Sequence, residues 1–157
     1  MNDWSIFPFF PEMAEEVSAL IGRVLMEVNS KDYPLEALKP FAAHYSPETV
    51  LALAEAGQSF VALDGEKVIA CGSVVPLPDR PGESEIRALF VLPEYEGQGI
   101  GSALMAVLES DPIFTRARRV VVSASLTAHP FYAKLGYRYA GGVPVCEDND
   151  HYWMEKP

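Results

Sequence analysis

The sequence predicts a single α/β domain in which a mixed, mostly antiparallel sheet carries helices on both faces. Three observations predict it. The first third of the chain has the apolar period of helices, the middle switches to short apolar runs separated by turn residues, and the second half holds a strand that runs through a glycine-rich turn into another helix. A length of 157 residues suits one domain, and 49% hydrophobic against 22% charged residues supports a real core, which excludes a disordered or fibrous chain. The domain is expected to span residues 1–157, with a helical region over 1–58 and a sheet-based core over 59–157.

Each element follows from local pattern. Met13, Val17, Leu20, Ile21, Val24, Leu25 and Val28 fall on one face of a helix over residues 12–29. Pro34 opens a second helix carrying Leu35, Leu38, Phe41 and Ala42, and Ser46-Pro47 supplies the N-cap and N1 proline of a third that ends at Gly57. Residues 59–63 and 67–75 are apolar runs around Asp64-Gly65-Glu66, a hairpin-turn signal, so two antiparallel strands are expected. After a loop with three prolines, residues 84–92 read as a central strand stopped by Pro93. Residues 99–110 read as a helix, 119–124 as a buried strand, 127–135 as a helix ended by Gly136, and 151–155 as a last strand.

Charge narrows the function. Twelve Lys and Arg against 22 Asp and Glu leave a formal charge of -10, which argues against holding nucleic acid by its phosphates and favours cations, amines included. Residues 1–79 carry -8 of this and residues 80–157 only -2, so an anionic ligand should prefer the second half. Cys71 and Cys146 form no CxxC pair and have no histidine cluster, so no metal and no disulfide framework is expected, and a reducing, cytoplasmic setting is. The prolines at 8 and 11 and the lack of a basic flank predict no signal peptide, and no apolar run reaches the ~18–20 residues of a membrane span.

The segment LFVLPEYEGQGIGSALM carries the chemistry. Glycines let a backbone approach a ligand closely, and the free N–H groups and dipole of a helix N-terminus favour an anion. Glycines can also simply make a tight turn. No lysine precedes Gly101-Ser102, which excludes a P-loop, and Ser102 at the third-glycine position, with no carboxylate in the next strand RVVVSAS, argues against a dinucleotide fold.

With HPFYAKLGYRYAGG following at residues 129–142, the chain resembles the GNAT superfamily of acyl-CoA-dependent N-acetyltransferases over about residues 60–156. The first segment is similar to that family's pyrophosphate-binding motif and the second to its later motif of a tyrosine-bearing helix. Glu96 departs from the usual Arg or Gln, and Ser125 stands where the family often has Asn. The resemblance implies a twisted sheet split centrally to admit acetyl-CoA, with the backbone of Leu89, Phe90 and Val91 along the pantetheine arm. Gly97, Gln98, Gly99, Ile100, Gly101 and Ser102 would then hold the pyrophosphate. The helical first third would shape the site of the acceptor, an amine-bearing small molecule or peptide, and a homodimer is expected only because relatives often form one.

An N-acyltransferase must deprotonate an ammonium ion, stabilise an oxyanion and protonate a leaving thiolate. Glu85, opening the central strand, is the candidate base; it could equally be a surface carboxylate paired with Arg87. Tyr132 matches the family's acid, or is a core aromatic beside Phe131. The Val91 backbone N–H is the oxyanion donor that the resemblance implies. His129 is given no role. Arg116, Arg118 and Arg119, and likewise Glu147, Asp148 and Asp150, read as solvated loop charges, with the 3′-phosphate of CoA and the amine as their functional alternatives. The alternative to an enzyme is a catalytically silent acyl-CoA-binding or regulatory module, against which the presence of both Glu85 and Tyr132 argues.

Overall fold

The computed structural model describes residues 3–142 and 151–156. Strands β1 (Trp4–Pro8), β2 (Gln58–Asp64), β3 (Lys67–Pro76), β4 (Glu83–Val91), β5 (Arg119–Ser125), β6 (Arg138–Tyr139) and β7 (His151–Lys156) form one sheet in the order β1-β2-β3-β4-β5-β7-β6. Only β4 and β5 pair in parallel; the other described neighbours are antiparallel.

Helix α1 (Ala14–Glu27) buries Val17, Leu20, Ile21, Val24 and Leu25, the stripe its period demands. It packs with α2 (Leu35–His44) and α3 (Pro47–Ala56), the latter capped by the Ser46 hydroxyl, which accepts from Thr49 N–H at 3.3 Å. Strand β3 is buried at eight consecutive positions, which requires cover on both faces. On the second face lies α4 (Ile100–Ser110), whose Met105 and Leu108 meet Ile86, Val120, Val122 and Met154 in a second apolar cluster. Short helices α5 (Pro112–Thr115) and α6 (His129–Lys134) complete the chain.

Three elements depart from the sequence expectation. The first third is not purely helical: β1 precedes α1 and pairs with β2, Trp4 opposite Asp64 through Pro8 opposite Phe60. Its prolines disguise it, yet an edge strand tolerates Pro8 because no ladder donor is needed on its outer side. Helix α5 was signalled by Asp111-Pro112, since the Asp111 carboxylate accepts from Ile113 N–H at 2.9 Å. Strand β6, at two residues, is too short for any period to reveal.

Candidate active site

The sheet is split where the chemistry is expected. The β4–β5 ladder runs from Glu83 opposite Arg119 to Ile86 opposite Val122 and stops, although β4 continues to Val91 and β5 to Ser125. The closed end is fastened by Arg119, whose guanidinium donates to Glu83 at 2.8 Å and to Glu155 at 2.5 Å, tying β4, β5 and β7 together. Beyond Ile86, β4 carries a bulge. Arg87 pairs with Ser73 and Phe90 with Cys71, so Ala88 and Leu89 share the space opposite Gly72, and Ala88 takes φ 56°. A Cβ on Gly72 would lie 2.9 Å from Leu89 Cδ1, so a side chain there would displace the Leu89 side chain. Leu92 N–H donates to Ile69 O at 2.9 Å, toward β3. Backbone alternation therefore turns the N–H group of Val91 to the open edge and that of Phe90 back to β3.

The glycine turn follows. Its entrance is pinned by Tyr95, whose hydroxyl donates to Asp64 at 2.6 Å, and by Glu94, which accepts both Arg23 terminal nitrogens at 2.8 Å. Gly97 and Gly99 both adopt φ 81°, which disfavours any side chain, and an ideal Cβ on either would meet nothing within 4 Å. Gly99 starts α4 without a side-chain cap, so the first-turn N–H groups are left for a ligand. They open on an outer cavity of about 490 Å³ whose wall includes Gly97, Gly99, Ile100, Gly101 and Ser102, with Leu89, Phe90 and Val91 beside them. Gln98 is exposed in the turn and outside that wall. A Cβ on Gly101 would approach Phe131 Cζ to 3.2 Å. Free donors, open space before the glycines and an unpaired strand edge fit an extended thioester carrier with a pyrophosphate.

An inner cavity of about 240 Å³ adjoins the outer one, between β4, β5 and the α1–α2 pair. Glu85 and Arg87 enter it from β4, Ser123 and Ser125 from β5, and Tyr45 from the end of α2. Burial pushes the Glu85 carboxyl above its ordinary 4.5, and the Arg87 guanidinium pulls the other way. A carboxylate so held accepts a proton more readily than a surface one, as a base needs. Tyr132 is 5% exposed, and burial pushes its phenol above the usual tyrosine value, so it stays protonated at neutral pH. Tyr132, Ser125, Leu89 and Phe90 line both cavities. The geometry thus brings Glu85, Tyr132 and the Val91 edge to one cleft. Asn29, Tyr45, Arg87 and His151 also line its inner part and were not singled out as site residues by the sequence. Only Arg87 had a signal, since the period of two puts it on the face of Glu85.

Residues 23–137, most of the chain, match the Acetyltransferase (GNAT) family. The chain belongs to that family. Among curated relatives it is 29% identical, over 106 residues, to the uncharacterized N-acetyltransferase YafP of Escherichia coli; the match covers 60% of this chain and 63% of that protein. Among solved structures, the PaiA N-acetyltransferase of Thermoplasma acidophilum in complex with coenzyme A superposes with a TM-score of 0.81 at 17% identity, covering 99% of each chain. A GCN5-related N-acetyltransferase from Rhodopseudomonas palustris gives 0.79 at 24%, covering 99% of this chain and 96% of that one. At such identities the structures speak for the fold alone.

Other residues of this GNAT domain have structural duties. Arg119 is committed to the clamp at the start of β5, at the opposite end of that strand from Ser125 and the open cleft. Arg118 likewise reaches Glu83, at 3.3 Å. His129 shares a hydrogen bond of 2.8 Å with the Tyr139 hydroxyl and stacks on Tyr152, ring centroids 4.3 Å apart. Cys71 is a buried thiol on the Ala88 carbonyl, pushed up to about 12 by burial and so inert as a nucleophile. Cys146, Glu147, Asp148 and Asp150 lie outside the described residues. Among the described residues no group of three His, Cys, Asp or Glu side chains could hold a metal, and no helix is long and apolar enough to cross a membrane.

Proposed function

We propose that this domain transfers the acetyl group of acetyl-CoA directly to a primary amine of a small molecule or peptide, with Glu85 as base and Tyr132 as acid. The observation that carries the reading is the placement of Tyr132 in the wall common to the outer and inner cavities, so that one tyrosine lines both the cavity of the glycine turn and that of Glu85. When bound, acetyl-CoA supplies an acyl group activated as a thioester. The free N–H groups of Gly97, Gly99, Ile100, Gly101 and Ser102 hold its pyrophosphate, and the open edge at Leu89 and Val91 takes the pantetheine amides, with Ser125 across the cleft. Glu85 accepts the ammonium proton, directly or through water. Val91 N–H donates toward the carbonyl oxygen, and the Tyr132 hydroxyl donates its proton toward the sulfur. A buried Cys71 thiol agrees with a reducing, cytoplasmic setting.

Thermal unfolding tests the cofactor half of this reading. Acetyl-CoA at a hundredfold excess over its dissociation constant should stabilise the protein by about 2.7 kcal/mol. Gly101→Val should abolish that stabilisation, because the added side chain enters the cradle and meets Phe131. A wild-type Tm indifferent to saturating acetyl-CoA overturns the reading. Thiol release across an amine panel then identifies acceptors.

A further inference from the structure

The inner cavity carries charges that a bare amine does not use. Glu85 and Arg87 stand two residues apart on one strand, hence about 7 Å between Cα atoms and on the same face. Both line the cavity. They attract each other electrostatically, yet no ion pair closes between them among the described residues; the Arg87 guanidinium lies instead against the Tyr45 hydroxyl. Arg87 is absent from the wall of the outer cavity, so the pyrophosphate cradle does not account for it.

A third polar group faces the same space. His151 opposes Ser125 across the β5–β7 ladder and lines the inner cavity, and both its ring nitrogens are buried without a hydrogen-bond partner among the described residues. Its ring packs edge-on to Trp153 at 5.4 Å, which fixes its plane but satisfies neither nitrogen. Buried polar atoms are ordinarily paired, so these await a polar partner in the cavity. Beside Ser123, Ser125, Asn29 and Tyr45, the helix side of the wall is apolar: Leu25, Leu38 and Phe41, with Phe90 edge-on to Tyr45 at 5.9 Å. At about 240 Å³ the space is smaller than the ~300–1,000 Å³ that drug-sized ligands occupy.

We infer that the acceptor is a small zwitterion with an apolar side chain, an α-amino acid in chemical class: its amine lies at Glu85, its carboxylate on Arg87, and His151 supplies a further hydrogen bond that fixes its orientation. The inference rests on the acetyltransferase reading above. It selects against peptide N-termini and plain amines, which bring no carboxylate beside the nitrogen and would leave Arg87 in the cavity without a ligand anion.

Matched pairs test it: leucine against 3-methylbutylamine, and phenylalanine against 2-phenylethylamine. Each is assayed by thiol release and by calorimetric binding to the protein saturated with coenzyme A. The wild type should favour the amino acid by roughly 10–100-fold in kcat/KM, the worth of a charge-assisted hydrogen-bond pair, and should bind it more tightly by a similar factor. Arg87→Gln should bring that ratio to about one, chiefly through KM, and Arg87→Lys should restore part of it. His151→Phe, which keeps a ring against Trp153, should weaken amino-acid binding several-fold. A wild-type ratio near one, neither partner of a pair bound, or a ratio that Arg87→Gln leaves unchanged overturns the inference; unchanged binding in His151→Phe removes that residue from it. Should Arg87→Gln fail to fold, the wild-type ratio and Arg87→Lys still decide. Failure of acetyl-CoA to bind the wild type is a different result, which overturns the acetyltransferase reading itself.

Discussion

Tyr132→Phe keeps the affinity for acetyl-CoA and loses about 10²–10⁴-fold in kcat, the usual worth of a positioned general acid. The ring is held by edge contacts with Phe131 at 5.3 Å and Tyr137 at 5.8 Å, and phenylalanine preserves both. What disappears is a proton that burial keeps on the oxygen well beyond neutral pH. The loss should therefore fall on kcat with KM for acetyl-CoA little changed, and the Tm gained with acetyl-CoA should match that of the wild type. Equal turnover in the two proteins would return Tyr132 to a packing role.

Glu85→Gln lowers the rate at neutral pH by a comparable factor, about 10²–10⁴-fold, and recovers much of it as the pH approaches the ~10 of a primary amine, where the acceptor deprotonates without help. The same substitution moves stability in a direction that a surface carboxylate would not. Glu85 titrates above its ordinary 4.5 in the folded protein. Between the unfolded value and the raised folded one the native state binds more protons, so stability falls as pH rises through that window, and the deficit persists above it. Glutamine carries no such deficit. The variant should be at least as stable as the wild type at pH 7, with the difference closing below about 4.5. Activity profiles that stay parallel with pH would sink the general-base assignment, and a variant less stable at pH 7 would show a structural carboxylate.

What could be read from the residues followed how local its cause was. The glycine turn was legible because Gly97 and Gly99 occupy a backbone region that glycine alone visits freely, and α1, α3 and α4 because period and caps are written within one helix length. Strand β4 was placed to within a residue, but its bulge was not foreseeable. Ala88 sits at positive φ in a bulge set by the flanking β3 pairs, its carbonyl accepting from the Cys71 thiol seventeen residues earlier, against the preference of its own side chain. His151 reaches the inner cavity because β7 inserts between β5 and β6, a long-range pairing with no trace in the neighbouring residues. Tyr45 and Asn29 likewise owe their place to how the helices settle on the sheet, which helical periodicity orients only toward the core as a whole.

The short β4–β5 ladder makes the molecule two plates on a common hinge line. One plate is β1–β4, the other β5, β7 and β6, and four rungs with the Arg119 clamp are their direct sheet connection. Across the far side of the gap, Thr127 Oγ1 donates to Asp32 at 2.7 Å and Leu126 N–H to the Tyr33 hydroxyl at 2.7 Å. A ligand lying in the cleft touches both lips, so its binding energy enters the opening equilibrium of the smaller plate as well as global unfolding. In the proposed pose, amide hydrogen exchange should accordingly slow in β5 and β7 together with Leu89 and Val91 when acetyl-CoA is added, as one cooperative block, so that the second plate is held more firmly while the enzyme is charged.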